Sequence, residues 1–269
     1  MTSRPFDLYW VDAFSRAVFS GNPAAVVPLE AWPQDELLQN IAFENGLSET
    51  AFFVPLDGGR FRLRWFTPTA EVDLCGHATL AAAFVLFERL GFSGEVLTFD
   101  SRSGQLLVKR RPDGKLELDF PARPPRAVEV PEALVRGLRV RPAAFLQAEA
   151  NLAVFDSEQQ VRSLDPDFAA LADLPQYGTI ATAPGTGCDF VSRFFAPRVG
   201  VPEDPVTGSA HCVLAPYWAQ RLEKKALYAR QISQRGGELW CELAGERVKI
   251  AGYAKLGGFN SEAQRRVAK

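Results

Sequence analysis

The chain contains an internal repeat that constrains its fold more than any other feature. The segment RWFTP at 64–68, a loop and CGHATLAAAFVLFERL are echoed by RFFAP at 193–197, a loop and TGSAHCVLAPYWAQRL. The lag is about 130 residues, which is close to the size of one domain. Each copy joins a strand that ends in two aromatic residues and a nearby proline to an Ala-rich helix that begins at glycine. The repeat therefore predicts an α+β fold with two similar domains related by a pseudo-twofold axis.

Short apolar runs alternate with turn signals around this repeat, and one helix of the first half has clear periodicity. Leu37, Leu38, Ile41 and Ala42 share one helical face, and Gly46 suits the end of that helix. The predicted helices are 33–46, 76–91 (with Gly91 as its C-cap) and the segment through 212–225. The predicted strands are 6–14, 24–29, 49–56, 60–68, 95–101, 104–110, 115–121, 151–157, 177–185, 188–197, 229–237, 238–245 and 246–256.

A proline-rich break separates the two halves. Prolines recur between residues 121 and 131, and they cannot continue the interior of a helix or a sheet. We therefore predict an N-terminal α/β domain at 1–120, a linker at 121–130 and a C-terminal α/β domain at 131–269. The last strand is allowed to cross back to the N-terminal domain.

Composition excludes several classes of partner. The 30 Lys and Arg residues nearly balance the 32 Asp and Glu residues, so the chain lacks the basic face that nucleic-acid binding needs. No apolar run reaches the roughly 20 residues that span a bilayer. The first residues, MTSRPFDLYW, contain no apolar segment of a secretory signal. We expect a cytoplasmic protein that binds neither nucleic acid nor membrane.

Cysteine and histidine usage argues against metal and disulfide sites. The four cysteines are scattered without a CxxC pair, and only two histidines are present. Reduced thiols are therefore expected rather than a disulfide scaffold or structural zinc. No GxGxxG or phosphate-binding loop with its lysine is found either. The sequence predicts no metal and no cofactor.

The two glycine-led helix starts are the first candidate binding feature. The first turn of a helix leaves backbone N–H groups unpaired, and the helix dipole adds positive charge there. Two such starts, at Gly76 and Gly208, facing one cleft would bind a carboxylate or a developing enolate. The alternative is that both glycines only ease a turn from strand to helix.

Glu49 is the candidate acid/base group. It stands at the start of the apolar segment ETAFFV, where a carboxyl against aromatic side chains has a raised pKa. Such a group can take and return a proton near neutral pH. An ordinary polar residue at the start of a strand is the alternative, and Glu44 is a rival carboxylate that we expect to be exposed. Near the second helix start, composition alone favours Asp204 as a plain helix cap, and no Ser/His/Asp triad can be claimed.

The motifs together resemble those of the PhzF-like family, named for a phenazine-biosynthesis isomerase. The matching segments are VDAFSRAVFSGNPAAVV, LSETAFF, RWFTPTAEVDLCGHATLAAA and EDPVTGSAH, in that order, and the resemblance extends to GERVKIAGYA. It implies the diaminopimelate-epimerase superfold, in which each domain wraps a curved sheet around a central helix and the active site lies between the domains. Relatives also suggest a homodimer.

The resemblance implies roles for the matching residues. In the phenazine enzyme the glutamate matching Glu49 moves a proton between carbons of a dihydro-hydroxyanthranilate, and the residues matching His77, Asp204 and Ser209 line the catalytic site. A small anionic metabolite is the implied substrate. Its carboxylate or carbonyl oxygen would be held by backbone near the glycines. The implied substrate-binding residues are Asn22, Gly76, Ala78, Thr207, Gly208 and Ala210.

Two alternatives to this acid/base isomerase stay open. Racemases and epimerases of the superfold use one cysteine per domain; Cys75 resembles the first, and Pro205 fills the second position in this comparison. A racemase or epimerase that depends on Cys75 would therefore lack its second thiol, for which Cys212 is a poor substitute. The other alternative is a non-catalytic small-molecule binding protein that kept the fold.

Overall fold

The computed structural model describes residues 6–260, and these residues form two compact units. Of the described residues, the first unit contains 6–119 and 252–260, and the second contains Phe120–Ala251. Within residues 6–260 no helix combines the length and the apolar character needed to cross a membrane. Each unit is an α+β structure with a long apolar helix against its sheet.

The first unit contains nine strands and two α-helices among its described residues. The helices are α1 (Asp35–Asn45) and α2 (Gly76–Glu88), with a 3₁₀ turn at Asp57–Gly59. The strands are β1 (Leu8–Ala13), β2 (Asn22–Pro28), β3 (Glu49–Pro55), β4 (Phe61–Phe66), β5 (Glu71–Val72), β6 (Val96–Ser101), β7 (Gly104–Arg110), β8 (Leu116–Pro121, whose last two residues pass into the second unit) and the last strand of the chain, β18 (Ala254–Asn260).

The second unit has a matching set of elements. Its α-helices are α3 (Glu132–Leu138), α4 (Glu158–Arg162), α5 (Phe168–Ala172) and α6 (Gly208–Leu222), with a 3₁₀ turn at Pro197–Val199. Its strands are β9 (Arg126–Ala127), β10 (Ala144–Gln147), β11 (Asn151–Val154), β12 (Thr179–Pro184), β13 (Phe190–Ala196), β14 (Val201–Asp204), β15 (Ala226–Gln231), β16 (Gly237–Ala244) and β17 (Arg247–Gly252, which ends at the boundary).

Strand pairing follows the same order in both units. In the first, β1–β2 is antiparallel, β2–β3 parallel, β3–β4 antiparallel, β4–β6 parallel, and β6–β7–β8 antiparallel. In the second, β10–β11–β12–β13–β15–β16–β17 repeats these directions pair by pair. Each sheet gains an edge strand, because β18 pairs with β1 and β9 pairs with β10. The repeat seen in the sequence is therefore a repeat of topology.

Helix α2 is apolar on every side because it is the central helix of its unit. His77 to Ala83 and Val85 to Phe87 are buried, and the helix packs against β1, β2 and β3. Helix α1 covers another part of the sheet: Leu38 and Ile41 join a core cluster with Val27 and Phe52. This arrangement confirms the expected sheet around a central helix.

Helix α6 contains a proline, and the hydrogen bond that this proline cannot donate is replaced by one from another segment of the second unit. Pro216 has no N–H, so the carbonyl of Cys212 loses its helical partner. The backbone N–H of Arg123 donates to that carbonyl instead, at 2.9 Å. The proline-rich segment after β8 is thereby attached to α6.

Three details of the predicted elements were wrong. The predicted strand 229–237 ends at Gln231, because the following SQRGG forms a turn. Pro121 ends β8, as the predicted strand 115–121 has it, but Arg126 and Ala127 form the short strand β9 within the segment predicted to be only a linker. Helix α2 ends at Glu88, and Gly91 adopts its left-handed conformation (φ 71°) beyond the helix. Short elements without strong periodicity were missed: β5, β9, β10, β14, α3, α4 and α5.

Candidate active site

The first half of the candidate site lies where β2, β3 and α2 begin. Strands β2 and β3 are parallel, with Ala24 opposite Glu49, so their first residues share one edge of the sheet. Asn22 opens β2, Glu49 opens β3, and His77 stands in the first turn of α2. Three predicted site residues from separate segments are thus brought together.

His77 is the centre of this group. Its Nε2 lies 3.2 Å from Oε2 of Glu49, while its Nδ1 lies 3.2 Å from Nδ2 of Asn22 and 3.5 Å from Sγ of Cys75. The contact with Glu49 is close without being aligned as a hydrogen bond. Such contacts in an unliganded site often tighten when a substrate binds.

Burial keeps the His77 ring neutral. Desolvation lowers its pKa from 6.5 to about 3, so the contact with Glu49 is not an ion pair at neutral pH. The amide of Asn22 and the thiol of Cys75 can both donate to Nδ1, which places the ring proton on Nε2. The ring therefore presents an N–H to the Glu49 carboxyl without adding a charge.

The start of α2 presents backbone N–H groups that have no partner within the helix. Cys75 is the N-cap residue, and its side chain does not cap the helix; Thr79 donates its hydroxyl to the Cys75 carbonyl at 2.6 Å. Gly76 and Ala78 belong to the first turn, whose N–H groups have no partner within the helix. Cys75 is buried, as expected, but its thiol faces His77 rather than only apolar groups. Glu44, the rival carboxylate, is exposed on α1.

The second unit carries the other predicted residues at the start of α6. Thr207 is the N-cap residue of α6, and Gly208 and Ala210 are buried in the first turn. Asp204 is not the cap: it ends β14 and accepts a hydrogen bond from the Thr207 hydroxyl. The alternative in which Asp204 is only a helix cap is therefore wrong for this geometry.

Gln231 fastens this segment, and the sequence analysis missed it. Its Oε1 accepts from the Thr207 N–H at 2.9 Å, and its Nε2 donates to the Asp204 carbonyl at 2.8 Å and to the Thr207 hydroxyl at 3.1 Å. Ser233 donates to the Pro205 carbonyl at 2.7 Å from the turn that follows β15. The last residue of β15 thus positions Asp204 and Thr207, and the turn misread as strand holds Pro205 between them.

Ser209 is exposed and has an unexpected partner in Tyr177. The two hydroxyl oxygens lie 3.3 Å apart, and burial raises the pKa of Tyr177. Cys212 lies one turn into α6, where desolvation raises its pKa to about 12. A thiol of that kind is a poor nucleophile at neutral pH, which agrees with its rejection as a second catalytic cysteine.

Each helix start is preceded by a bidentate ion pair that the sequence analysis did not single out. In the first unit, Arg64 on β4 donates two hydrogen bonds of 2.7 and 2.8 Å to the carboxylate of Glu71 on β5. In the second unit, Arg193 on β13 donates two hydrogen bonds of the same lengths to the carboxylate of Glu203 on β14. The Glu71 carboxylate raises the pKa of Arg64. The pairs hold the loops that lead into α2 and α6, so they act as positioning residues.

The repeat also shows what stands opposite each catalytic candidate in the other copy. The pairing of Thr50 with Phe66 matches that of Thr179 with Phe195, so Gly178 is equivalent to Glu49. The N-cap residues make Thr207 equivalent to Cys75, and Ser209 is then equivalent to His77. The position matching the first cysteine is therefore Thr207, two residues after the predicted Pro205. The second copy lacks both the carboxyl and the thiol.

Comparison with known proteins settles the family. A profile described as phenazine biosynthesis-like protein matches residues 11–257. The chain belongs to this family. Two uncharacterized isomerases of Pseudomonas aeruginosa are 59% and 54% identical to it, over 93% of this chain and 95% of each relative. The expectation of a PhzF-like isomerase is confirmed at this level.

Solved structures agree with this membership and with the superfold. The phenazine biosynthesis protein PhzF family structure from Enterococcus faecalis has a TM-score of 0.93 at 45% identity, covering 96% of this chain and 98% of that one. A hydroxyproline epimerase from Agrobacterium vitis has a TM-score of 0.63 at 12% identity, covering 96% and 92%. The second likeness concerns the fold alone. The predicted fold class is confirmed.

Proposed function

We propose that this chain is a cofactor-independent isomerase that moves a proton on a small carboxylate-bearing substrate, with Glu49 as the acid/base group. The observation that carries the proposal is the 3.2 Å contact between the Glu49 carboxyl and the buried, neutral ring of His77 at the start of α2. A neutral N–H donor can orient the carboxyl and leave it basic.

The proposed reaction uses only groups of this chain. The Glu49 carboxylate takes a proton from a carbon next to the substrate's carboxylate or carbonyl group. The electron pair of the broken C–H bond forms an enolate, whose oxygen is stabilised by first-turn N–H groups of α2 at Gly76 and Ala78. Where the substrate has a C=C bond next to that carbon, the negative charge extends over the allylic system, and the protonated Glu49 returns the proton to its far carbon while the double bond shifts. Asp204, Thr207, Gly208, Ser209 and Ala210 are assigned to substrate binding and to the proton's path.

The lack of an acid/base group equivalent to Glu49, Cys75 or His77 in the second copy favours isomerisation over racemisation. A two-base racemase needs a second acid/base group on the opposite face of the substrate. The residues equivalent to Glu49, Cys75 and His77 in the second copy are Gly178, Thr207 and Ser209, and none of them is an acid or base near neutral pH. A single residue that takes and returns the proton fits this inventory.

Solvent exchange tests the proposal across a range of chemically plausible substrates. The chain is incubated in D₂O with a panel of small carboxylic acids that carry an acidic C–H bond, and deuterium uptake at carbon is followed by NMR. We expect exchange for at least one class and a loss of about 10²–10⁴-fold in Glu49→Gln. The matched control is Glu44→Gln, the same change at an exposed residue, which should exchange at the parental rate. Undiminished exchange in Glu49→Gln overturns the assignment.

A Cys75-dependent mechanism is the second candidate, because the thiol sulfur lies 3.5 Å from Nδ1 of His77. It predicts rapid inactivation by iodoacetamide and loss of exchange in Cys75→Ser. If exchange persists in Cys75→Ser and disappears in Glu49→Gln, the carboxyl is the acid/base group. Carboxylates that raise the melting temperature but never exchange would instead indicate a binding protein.

A further inference from the structure

Glu49, Cys75 and His77 form a mixed donor group of a kind that binds metal ions. Within residues 6–260 it is the one group of three or more His, Cys, Asp or Glu side chains whose donor atoms all lie within 4.8 Å of one another. We propose that it is a site for a thiophilic divalent cation, with Zn²⁺ the best match, and that the bound cation inhibits the enzyme. Binding stands by itself; the inhibition rests on the proposed role of Glu49.

The three donor atoms lie near enough to one another to be drawn to one zinc ion. Zinc binds thiolate sulfur at about 2.3 Å and imidazole nitrogen or carboxylate oxygen at about 2.0–2.2 Å. Tetrahedral angles then separate the donors by roughly 3.3–3.7 Å. Here Nε2 of His77 lies 3.2 Å from Oε2 of Glu49, a separation close to that range, and one donor atom of each of the three residues lies within 4.8 Å of the others. The 3.5 Å contact of the Cys75 sulfur is with the other ring nitrogen, Nδ1, so the thiol has to turn toward an ion at Nε2. Rotations of the Glu49 and Cys75 side chains can direct all three donors to one ion.

The buried imidazole gives an independent indication of a ligand. His77 is 6% exposed, and its Nε2 makes no aligned hydrogen bond with any residue of the described chain. A buried ring nitrogen in that state is costly unless a proton donor, an acceptor or a metal engages it. An ion at Nε2 moves the ring proton to Nδ1, where Asn22 would accept it through Oδ1 after a flip of its amide, as the outer partner of a metal-bound histidine does.

Ligand chemistry and charge select the cation. A thiolate and an imidazole favour Zn²⁺ and similar ions over Mg²⁺ and Ca²⁺, which prefer oxygen donors. On binding, the Cys75 thiol releases its proton to solvent, so one thiolate and one carboxylate offset the two positive charges of the ion. Three protein ligands leave a fourth position for water. The ion would hold the carboxyl that the proposed reaction needs as a free base.

Cys188 provides a matched control thiol. It is half-buried on the second unit, and its sulfur accepts a hydrogen bond from Nε of Arg230 at 3.3 Å. Arg230 also pairs with Glu158 at 3.0 Å. A cation at Cys188 would meet the guanidinium, so this thiol should not contribute to the site.

Cobalt absorption tests the inference directly. Co²⁺ is titrated into the purified full chain under reducing conditions, and the near-ultraviolet thiolate-to-cobalt charge-transfer band is recorded. We expect saturation at one equivalent, displacement by Zn²⁺, loss of the band in Cys75→Ser and at least tenfold weaker binding in His77→Gln and Glu49→Gln. Cys188→Ser should keep the full band. No band with the parental chain, a band that persists in Cys75→Ser, or a band lost in Cys188→Ser overturns the inference.

A second measurement keeps the test valid if a variant fails to fold. In the parental chain, Zn²⁺ should slow iodoacetamide alkylation of Cys75 at least tenfold and leave that of Cys188 unchanged, as read by peptide mass spectrometry. Equal alkylation of Cys75 with and without Zn²⁺ would refute the site. Cobalt binding does not depend on substrate. If the parental chain binds Co²⁺ and the Glu49→Gln variant keeps the parental rate of deuterium exchange, the proposed function and the inhibition are refuted, whereas the cation site is not.

Discussion

Nε2 of His77 lies 3.2 Å from Oε2 of Glu49, which joins the first turn of the central helix α2 to the first residue of β3. The residues are far apart in the chain, and the sheet edge brings them together. Because the ring is buried and neutral, His77 is a positioning residue whose effect depends on its N–H rather than on a charge.

Replacement of His77 should lower proton exchange by less than replacement of Glu49. We expect His77→Leu to reduce exchange by up to about 10²-fold, because the carboxyl loses the donor that orients it. His77→Gln offers N–H groups from a similar position and should recover part of the loss. Deuterium uptake by the three chains is the measurement. Equal rates in the Leu and Gln variants would show that the ring serves packing alone.

The two buried histidines should make the fold sensitive to mild acid. Desolvation lowers the pKa of His77 to about 3 and that of His211 to about 4, against 6.5 for an unfolded chain. Below pH 6.5 the unfolded chain therefore binds protons that the folded chain does not bind. The free energy of unfolding consequently decreases as the pH is lowered. Above 6.5 this contribution is fully present, and the loss from His211 is complete only below about pH 4.

Urea unfolding between pH 6.5 and 5 measures this effect before most carboxyl groups titrate. Each histidine contributes a slope of up to about 1.4 kcal/mol per pH unit. His211→Phe keeps an aromatic ring beside Phe190, whose ring centroid lies 5.9 Å away, and should remove about half of the slope. A slope that His211→Phe leaves unchanged would show that this histidine is not buried as a neutral group.

The Arg193–Glu203 pair should be strongly coupled. Both side chains are largely shielded, and the guanidinium also donates to the Leu164 carbonyl at 2.8 Å. In a double-mutant cycle with Arg193→Met and Glu203→Gln, we expect a coupling free energy of about 1–3 kcal/mol by urea unfolding. The matched control is the exposed pair Arg139–Asp165, where coupling should be near zero. Similar coupling in the two pairs would contradict the positioning role.

Gln231 should be important to the second helix start although it is not a catalytic residue. Gln231→Leu leaves the buried Thr207 N–H without its acceptor, which should cost about 1–3 kcal/mol of unfolding free energy. Amide hydrogen exchange of Thr207 should accelerate in the same variant. Gln231→Glu keeps an acceptor for that N–H and should protect it better. Unchanged protection of Thr207 in Gln231→Leu would refute this assignment.

Local chemistry was enough to place the regular elements that begin or end at distinctive residues. Gly46 ends α1 in a left-handed conformation, as its position after an apolar periodic run predicts. The helix starts at Gly76 and Gly208 could likewise be predicted from the sequence, since each follows a strand and a polar loop. Elements of two to seven residues, such as β14 and α3, carry too few apolar positions to show a period, so they were not predicted.

The sequence by itself determined the family, the repeated topology and the central helices, because these depend on apolar pattern and motif order along the chain. Only the tertiary structure decided which side chains meet: Glu49 with His77, Arg193 with Glu203, and Gln231 with Thr207. Such contacts depend on strand register and on turns between distant segments. A single-residue change of register would move these side chains to the other face of the sheet, and no local pattern encodes that choice.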